Sequence, residues 1–276
     1  MGSLSLAPVD DFAPARTALG SLPGEAGAFV SDAAGHALFG ESEDELFPSA
    51  SVIKLPLVMT LYADAARGLL DLNECIPVGD RVDGSGVLRH MRDLDRLSLR
   101  DLAMLAIIVS DNTATNRLIE RVGVERVGER LREWGCSKTR LSRKMYDFEA
   151  AKRGHENVMT ARETVSLLLR LQRGECEDRA TSDAVLAVLE QCQDRTMLLR
   201  YLPYGVKVPH KTGTLDESRN DAAIVPGDRP VLVAAFTRKL RDTGAAVSWL
   251  GVLGWCAYRA AGNHGDPLPP ELTRTA

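Results

Sequence analysis

Ser51 and Lys54 stand three positions apart within Pro48-Ser49-Ala50-Ser51-Val52-Ile53-Lys54-Leu55-Pro56, and an apolar run of helical character follows. On a helix that begins at or near Ser51, this spacing brings both side chains to one face, one turn apart. The hydroxyl then lies at the positive end of the helix dipole. A serine hydroxyl is a weak nucleophile until a neighbouring base takes its proton. Lysine is such a base only when burial or a second cation lowers its pKa, so the pair calls for another cation close by. Two further single-copy segments offer suitable groups in loop-like positions: Ser110-Asp111-Asn112, between two apolar helices, and Lys211-Thr212-Gly213-Thr214, at the end of a strand. Taken alone, each of the three has a plain structural reading as a helix start, a helix cap or a strand end.

The elements around these residues follow from periodicity and turn chemistry. Residues 10–22 read as a short helix ended by Pro23-Gly24, and residues 28–30 and 37–39 as a hairpin around Gly35. From 51 to about 192 the pattern is helical. Helices are expected over 99–109 (capped by Ser98), 112–122, 124–134, 160–171 and 181–192 (capped by Thr181 or Ser182). Thr160 with Glu163 has the form of a capping box. The polar stretch 140–157 lacks a period, and long loops in compact domains are often functional. Beyond Pro203 the texture turns to strands, 205–214, 221–225 and 230–236, followed by a buried helix over 247–261 and a Pro/Gly-rich tail. The fold class is α/β (α+β): an antiparallel meander from both ends of the chain, its faces buried by the first and last helices, with an inserted all-α lobe. A single domain over 1–276 is expected. Its sheet part is 10–50 with 195–262, its helical part 51–194 and its tail 263–276. Ser51 falls between the two parts, where pockets tend to lie.

Composition removes several classes of function. The 276 residues carry a net charge of −4 and only 5 % aromatics, with no basic block, which argues against nucleic-acid partners. No apolar run reaches the length of a membrane span. Five cysteines, odd in number and without a Cys-x-x-Cys pair, fit free thiols in a reducing compartment better than a disulfide framework or a zinc site. The five histidines show no metal-ligand spacing, and strand alternation turns His210 away from Lys211 into a structural role. The N-terminus has no positive n-region or apolar h-region, so the expectation is a cytoplasmic protein or, as the alternative, one whose export segment has been trimmed from this sequence. No cofactor or metal is expected.

Taken together and in this order, Ser51-x-x-Lys54, Ser110-Asp111-Asn112 and Lys211-Thr212-Gly213 resemble the motifs of the penicillin-recognising serine enzymes, the class A β-lactamases and related penicillin-binding proteins. Gly84-Ser85-Gly86-Val87-Leu88, Ser98-Leu99-Arg100-Asp101-Leu102, Thr113-Ala114-Thr115-Asn116 and Asn220-Asp221 extend the likeness over residues 10 to 262. The resemblance implies a five-stranded antiparallel sheet and an acyl-enzyme mechanism. Ser51 would attack a carbonyl, Lys54 take its proton and Ser110 relay a proton to the leaving group. Asn112 would hold the acyl side-chain amide. Lys211 would be the second cation, and with Thr212 and Thr214 it would bind a substrate carboxylate. The N–H groups of Ser51 and Thr214 would form the oxyanion hole, and Gly213 lets the strand approach the substrate. Asp111 would hold the loop.

One position departs from the family. Aligning Arg140, Leu141 and Arg143 puts Met145 where class A enzymes carry the glutamate that activates the deacylating water, and a thioether cannot take a proton from water. Glu149, four residues on, is the candidate substitute, with Asp147 beside it. The expected activity is hydrolysis of a β-lactam or related amide or ester through an acyl-enzyme on Ser51, with slow release. The alternatives are a penicillin-binding or sensor protein, a D-alanyl peptidase, or a cytoplasmic esterase. The expected partner is a small carboxylate-bearing substrate.

Overall fold

The computed structural model describes residues 11–264 and 267–268, and most of the tail expected from residue 263 lies outside them. The chain opens with α1 (Ala13–Gly20), β1 (Glu25–Asp32), β2 (Ala37–Glu41) and the two-residue β3 (Phe47–Pro48). A 3₁₀ turn, Ala50–Ile53, runs directly into α2 (Lys54–Ala66). The middle of the chain holds β4 (Cys75–Pro77), β5 (Arg96–Ser98), α3 (Leu99–Ile108), α4 (Asn112–Val122), α5 (Val124–Glu133), α6 (Phe148–Lys152), β6 (Val158–Met159), α7 (Ala161–Arg173) and α8 (Arg179–Leu189). It closes with β7 (His210–Leu215), β8 (Ser218–Val225), β9 (Val231–Arg238) and α9 (Thr243–Ala260).

The five long strands form one antiparallel sheet in the order β2-β1-β9-β8-β7. Side chains of the central strands alternate between two cores, as the strand period of two requires. Ala223, Val225, Val231, Val233 and Ala235 face α1 and α9, whereas Ala222, Ile224, Leu232, Ala234 and Phe236 face the helical lobe. This corrects the expected layering. The first and last helices pack against each other on one face, and α7 from the inserted lobe covers the other. The apolar runs of β8 and β9 are buried on both sides, so neither face was left for water.

Caps set the helix starts. Ser98 Oγ accepts from the Asp101 N–H, and Thr160 Oγ1 from the Glu163 N–H. Helix α8 starts two residues earlier than expected, because Asp178 caps it instead of Thr181 or Ser182. Glu163 does not return to Thr160. Its carboxylate accepts the N–H groups of Ser137, Lys138 and Thr139 at 2.8, 2.9 and 2.7 Å and so fixes the chain beyond α5 to α7. The short ladders β4–β5 and β3–β6 were not expected, since two or three residues are too few for a visible alternation.

Helix α2 is buried along nearly its whole length and is the axis of the lobe. At its far end the buried Asp64 accepts from Arg126 Nε at 2.9 Å and Arg130 Nε at 3.0 Å, tying α2 to α5. Arg130 is itself fully buried. Removing one member of a buried pair strands the other charge, at a cost of about 3–5 kcal/mol. Glu133 and Glu177 also lie within ion-pair distance of Arg130, which places Asp64→Ala toward the low end. Urea denaturation is expected to show a loss of about 3 kcal/mol for this variant.

Candidate active site

Ser51 occupies the 3₁₀ turn ahead of α2, and the turn is pinned from both sides. The Ser49 N–H and Oγ donate to the carbonyl of Asn157 at 2.9 and 3.0 Å, and Asn220 Nδ2 donates to the Pro48 carbonyl at 2.8 Å. Strand β7, at the edge of the sheet, runs beside the turn. A β-carbon at Gly213 would stand 2.9 Å from Ser49 O and 3.0 Å from Ser51 N, so only glycine permits this approach.

Lys54 is fully buried, and its Nζ donates to Ser110 O at 2.8 Å, Ser110 Oγ at 3.1 Å and Asn112 Oδ1 at 3.0 Å. From the other side Lys211 Nζ donates to Ser110 Oγ at 3.2 Å and to Thr212 O at 2.8 Å. Two buried amines thus converge on one hydroxyl. Ser110 holds a left-handed conformation, φ 54°, which its neighbours enforce. Asp111 caps α4 through the Ala114 N–H, and its other oxygen accepts the Val87 and Leu88 N–H groups at 2.7 and 2.8 Å. A β-carbon on Gly86 would fall 2.3 Å from that oxygen. Asn112 is anchored by its Nδ2 on Asp83 O at 2.9 Å.

These groups open on a cavity of about 310 Å³ whose wall includes Ser51, Ser85, Ser110, Lys211, Thr212 and Thr214. The sequence motifs are therefore brought together in space. Burial holds the Lys54 amine well below the ordinary lysine range, with the neighbouring Lys211 adding to the effect and Asp111 opposing it. Burial also lowers Lys211, against the pull of Cys192, Asp221 and Asp194. An amine so depressed sheds its proton at a pH where a surface lysine keeps it, and the arrangement is suited to moving a proton along Lys54, Ser110 and Lys211.

The polar stretch 140–157 is a tied loop. Arg140 and Val158 exchange backbone hydrogen bonds at 2.9 and 3.0 Å, and Asn157 Oδ1 accepts the Ser142 and Arg143 N–H groups. Asn116 holds both backbone groups of Met145, whose side chain is buried in the core of the lobe. Glu149 lies elsewhere. Asp147 caps α6 and turns Glu149 outward in its first turn, where its carboxylate is 72 % exposed and pairs with Lys152 at 2.8 Å. Neither Glu149 nor Asp147 is in the wall of the cavity. Sequence reasoning missed one part of that wall, Cys192-Gln193-Asp194. It follows α8 in a segment whose composition carries no catalytic signature.

A sheet edge, a 3₁₀ serine turn and two buried lysines meeting on a second serine thus bring into one place the motifs that carry the sequence resemblance. The chain belongs to the β-lactamase enzyme family, whose model matches residues 14–261. It is 30 % identical over 243 residues to β-lactamase L2 of Stenotrophomonas maltophilia, covering 83 % of this chain and 80 % of that protein. The crystal structure of a β-lactamase from Sphaerobacter thermophilus matches with a TM-score of 0.82 at 31 % identity, over 93 % of this chain and 98 % of that one. An ancestral class A β-lactamase matches with a TM-score of 0.80 at 27 % identity, over 91 % and 100 %. The protein is a serine β-lactamase-like hydrolase with the class A fold. No helix among the described residues is long and apolar enough to cross a membrane.

The amine pair gives a direct check. In a pH titration by ¹⁵N-lysine NMR, Lys54 is expected to lose its proton well below the surface lysines. Lys211→Met removes the neighbouring positive charge, so the Lys54 titration moves to higher pH.

Proposed function

We propose that the protein hydrolyses a β-lactam or a related carboxylate-bearing amide or ester through an ester on Ser51, and that release of this ester is the slow step. The convergence of Lys54 and Lys211 on Ser110 Oγ, beside Ser51 in one cavity, carries this reading. Lys54 in its neutral form takes the Ser51 proton as the hydroxyl attacks the carbonyl. The N–H groups of Ser51 and Thr214 receive the charge that develops on the carbonyl oxygen. Ser110, polarised by Lys211, passes a proton to the leaving nitrogen or oxygen. Asn112 takes the acyl side-chain amide. Lys211, Thr212 and Thr214 take the carboxylate, which Gly213 allows to lie close to the strand.

The slow second step rests on Met145. A thioether cannot accept a proton, and Glu149 faces solvent with Lys152 as its partner. The same residue favours a second reading, a penicillin-binding sensor that is acylated once and stays blocked. None of the five cysteines is in a disulfide, and Cys75 is exposed as a thiol, which supports a cytoplasmic setting.

Intact-mass spectrometry over time with benzylpenicillin, a D-Ala-D-Ala peptide and a simple ester separates the readings. A benzylpenicillin adduct that decays slowly and is lost in Ser51→Ala supports the hydrolase, and a lasting adduct supports the sensor. No adduct and no turnover with any of the three would remove the proposal. Met145→Glu supplies the missing base and is expected to speed adduct decay by ~10²-fold, the scale of general-base catalysis. Glu149→Gln is expected to leave the decay rate unchanged.

A further inference from the structure

Gly84 lies between the two residues that hold Asn112. Asn112 Nδ2 donates to Asp83 O at 2.9 Å, and the Asn112 backbone N–H donates to Ser85 O at 3.1 Å. Ser85 stands in the wall of the catalytic cavity. Gly84 has no side chain, and the ring of Tyr146 takes the space one would fill. A β-carbon on Gly84 would fall 2.9 Å from the edge of that ring and 2.7 Å from Asn112 Nδ2. The ring and the amide therefore meet at one point beside the cavity wall.

Packing does not account for this ring. Tyr146 is held at φ 68°, in the left-handed region that bulky side chains avoid. The loop enforces that conformation. Asn116 holds both backbone groups of Met145 before it, and Asp147 caps α6 after it. Yet the side chain is 48 % exposed. Phe148, also half-exposed, meets it edge-on, with the ring centroids 4.8 Å apart at 61°. An aromatic pair is thus fixed in place next to Asn112 with its surface open to solvent. The charges that flank it are matched, Lys144 with Glu120 and Glu149 with Lys152. A neutral, flat group suits this surface better than a charged one.

We propose that Tyr146, backed by Phe148, is a specificity-determining residue that takes the aryl end of the acyl substituent, so that arylacetyl amides are preferred to small aliphatic ones. The inference rests on the acyl donor and the role of Asn112 given under Proposed function. Asn112 Nδ2 carries two hydrogens. One goes to Asp83 O, and the other is offered to the acyl carbonyl. A substituent that continues past that carbonyl toward Gly84 reaches the Tyr146 ring, and an aryl group there makes an aromatic contact that a methyl group cannot.

The test compares benzylpenicillin with 6-acetamidopenicillanic acid, which keeps the nucleus, the carboxylate and the amide and lacks the phenyl ring. Acylation is followed by intact mass, and the quantity read is the ratio of the two second-order rate constants. Tyr146→Asn tolerates the left-handed backbone and removes the ring. It is expected to cut the preference for benzylpenicillin about tenfold, the scale of one aromatic contact. Tyr146→Phe should keep the preference, and Phe148→Ala should lower it less than Tyr146→Asn does. An unchanged ratio in Tyr146→Asn overturns the proposal, whether both rates fall together or neither falls. If the wild-type protein forms no adduct with either compound, the Ser51 assignment fails, and N-phenylacetylglycine then decides the subsite without any acylation. With ¹³C-labelled tyrosine, it is expected to shift the Tyr146 ring signals in NMR spectra where N-acetylglycine does not. Tyr146 signals unmoved by N-phenylacetylglycine overturn the proposal.

Discussion

Two ammonium groups cannot share one buried hydroxyl as equals. With Lys54 and Lys211 at 3.1 and 3.2 Å from Ser110 Oγ, and both out of water, their mutual repulsion and desolvation must be relieved by loss of a proton. Lys54 is the one depressed furthest. Asp221 and Asp194 pull Lys211 toward its charged form, whereas Lys54 has only the pull of Asp111. The asymmetry between base and cation is thus a property of what lies behind each lysine. It needs no special chemistry at either amine.

The fold can be read as a means of holding that unequal pair. Lys211 comes from the edge of a sheet whose central strands are buried on both faces. Lys54 comes from the first turn of the most buried helix of the lobe, and Ser110 from a left-handed link between two helices. Each position would drift without local restraint. Gly213 lets β7 lie against the serine turn, and Asn157 and Asn220 hold that turn from opposite sides. The Asp111 carboxylate spends its hydrogen bonds on backbone N–H groups around the Ser110 link.

Much of this was legible in the residues themselves. The three motifs stood out because their chemistry restricts residue type, and the helices with strong caps and clear periods, such as those begun by Ser98 and Asp111, lay where expected. The misreadings have physical causes. Thr181 and Ser182 look like caps, but Asp178 reaches the Thr181 N–H first. Glu163 fits a capping box, yet three N–H groups from a distant turn compete for it and win. Glu149 has the right chemistry and spacing to replace Met145, but a short helix turns it to solvent, and one residue's direction on five residues of helix leaves no period to read. The Cys192-Gln193-Asp194 part of the cavity wall lies beyond α8, and no local pattern announces it.

The two faces of the sheet belong to different partners, and one of them is the catalytic lobe itself. Phe236, Leu232 and Ala222 are as much part of the core around α2 as Leu57 or Leu102. Opening the cleft by swinging the lobe away would therefore mean exposing the sheet's own interior, and a hinge of that kind has no cheap open state. A substrate is then not admitted by a swing of the lobe, and differences in preference are to be sought first in the side chains and loops of the cavity wall.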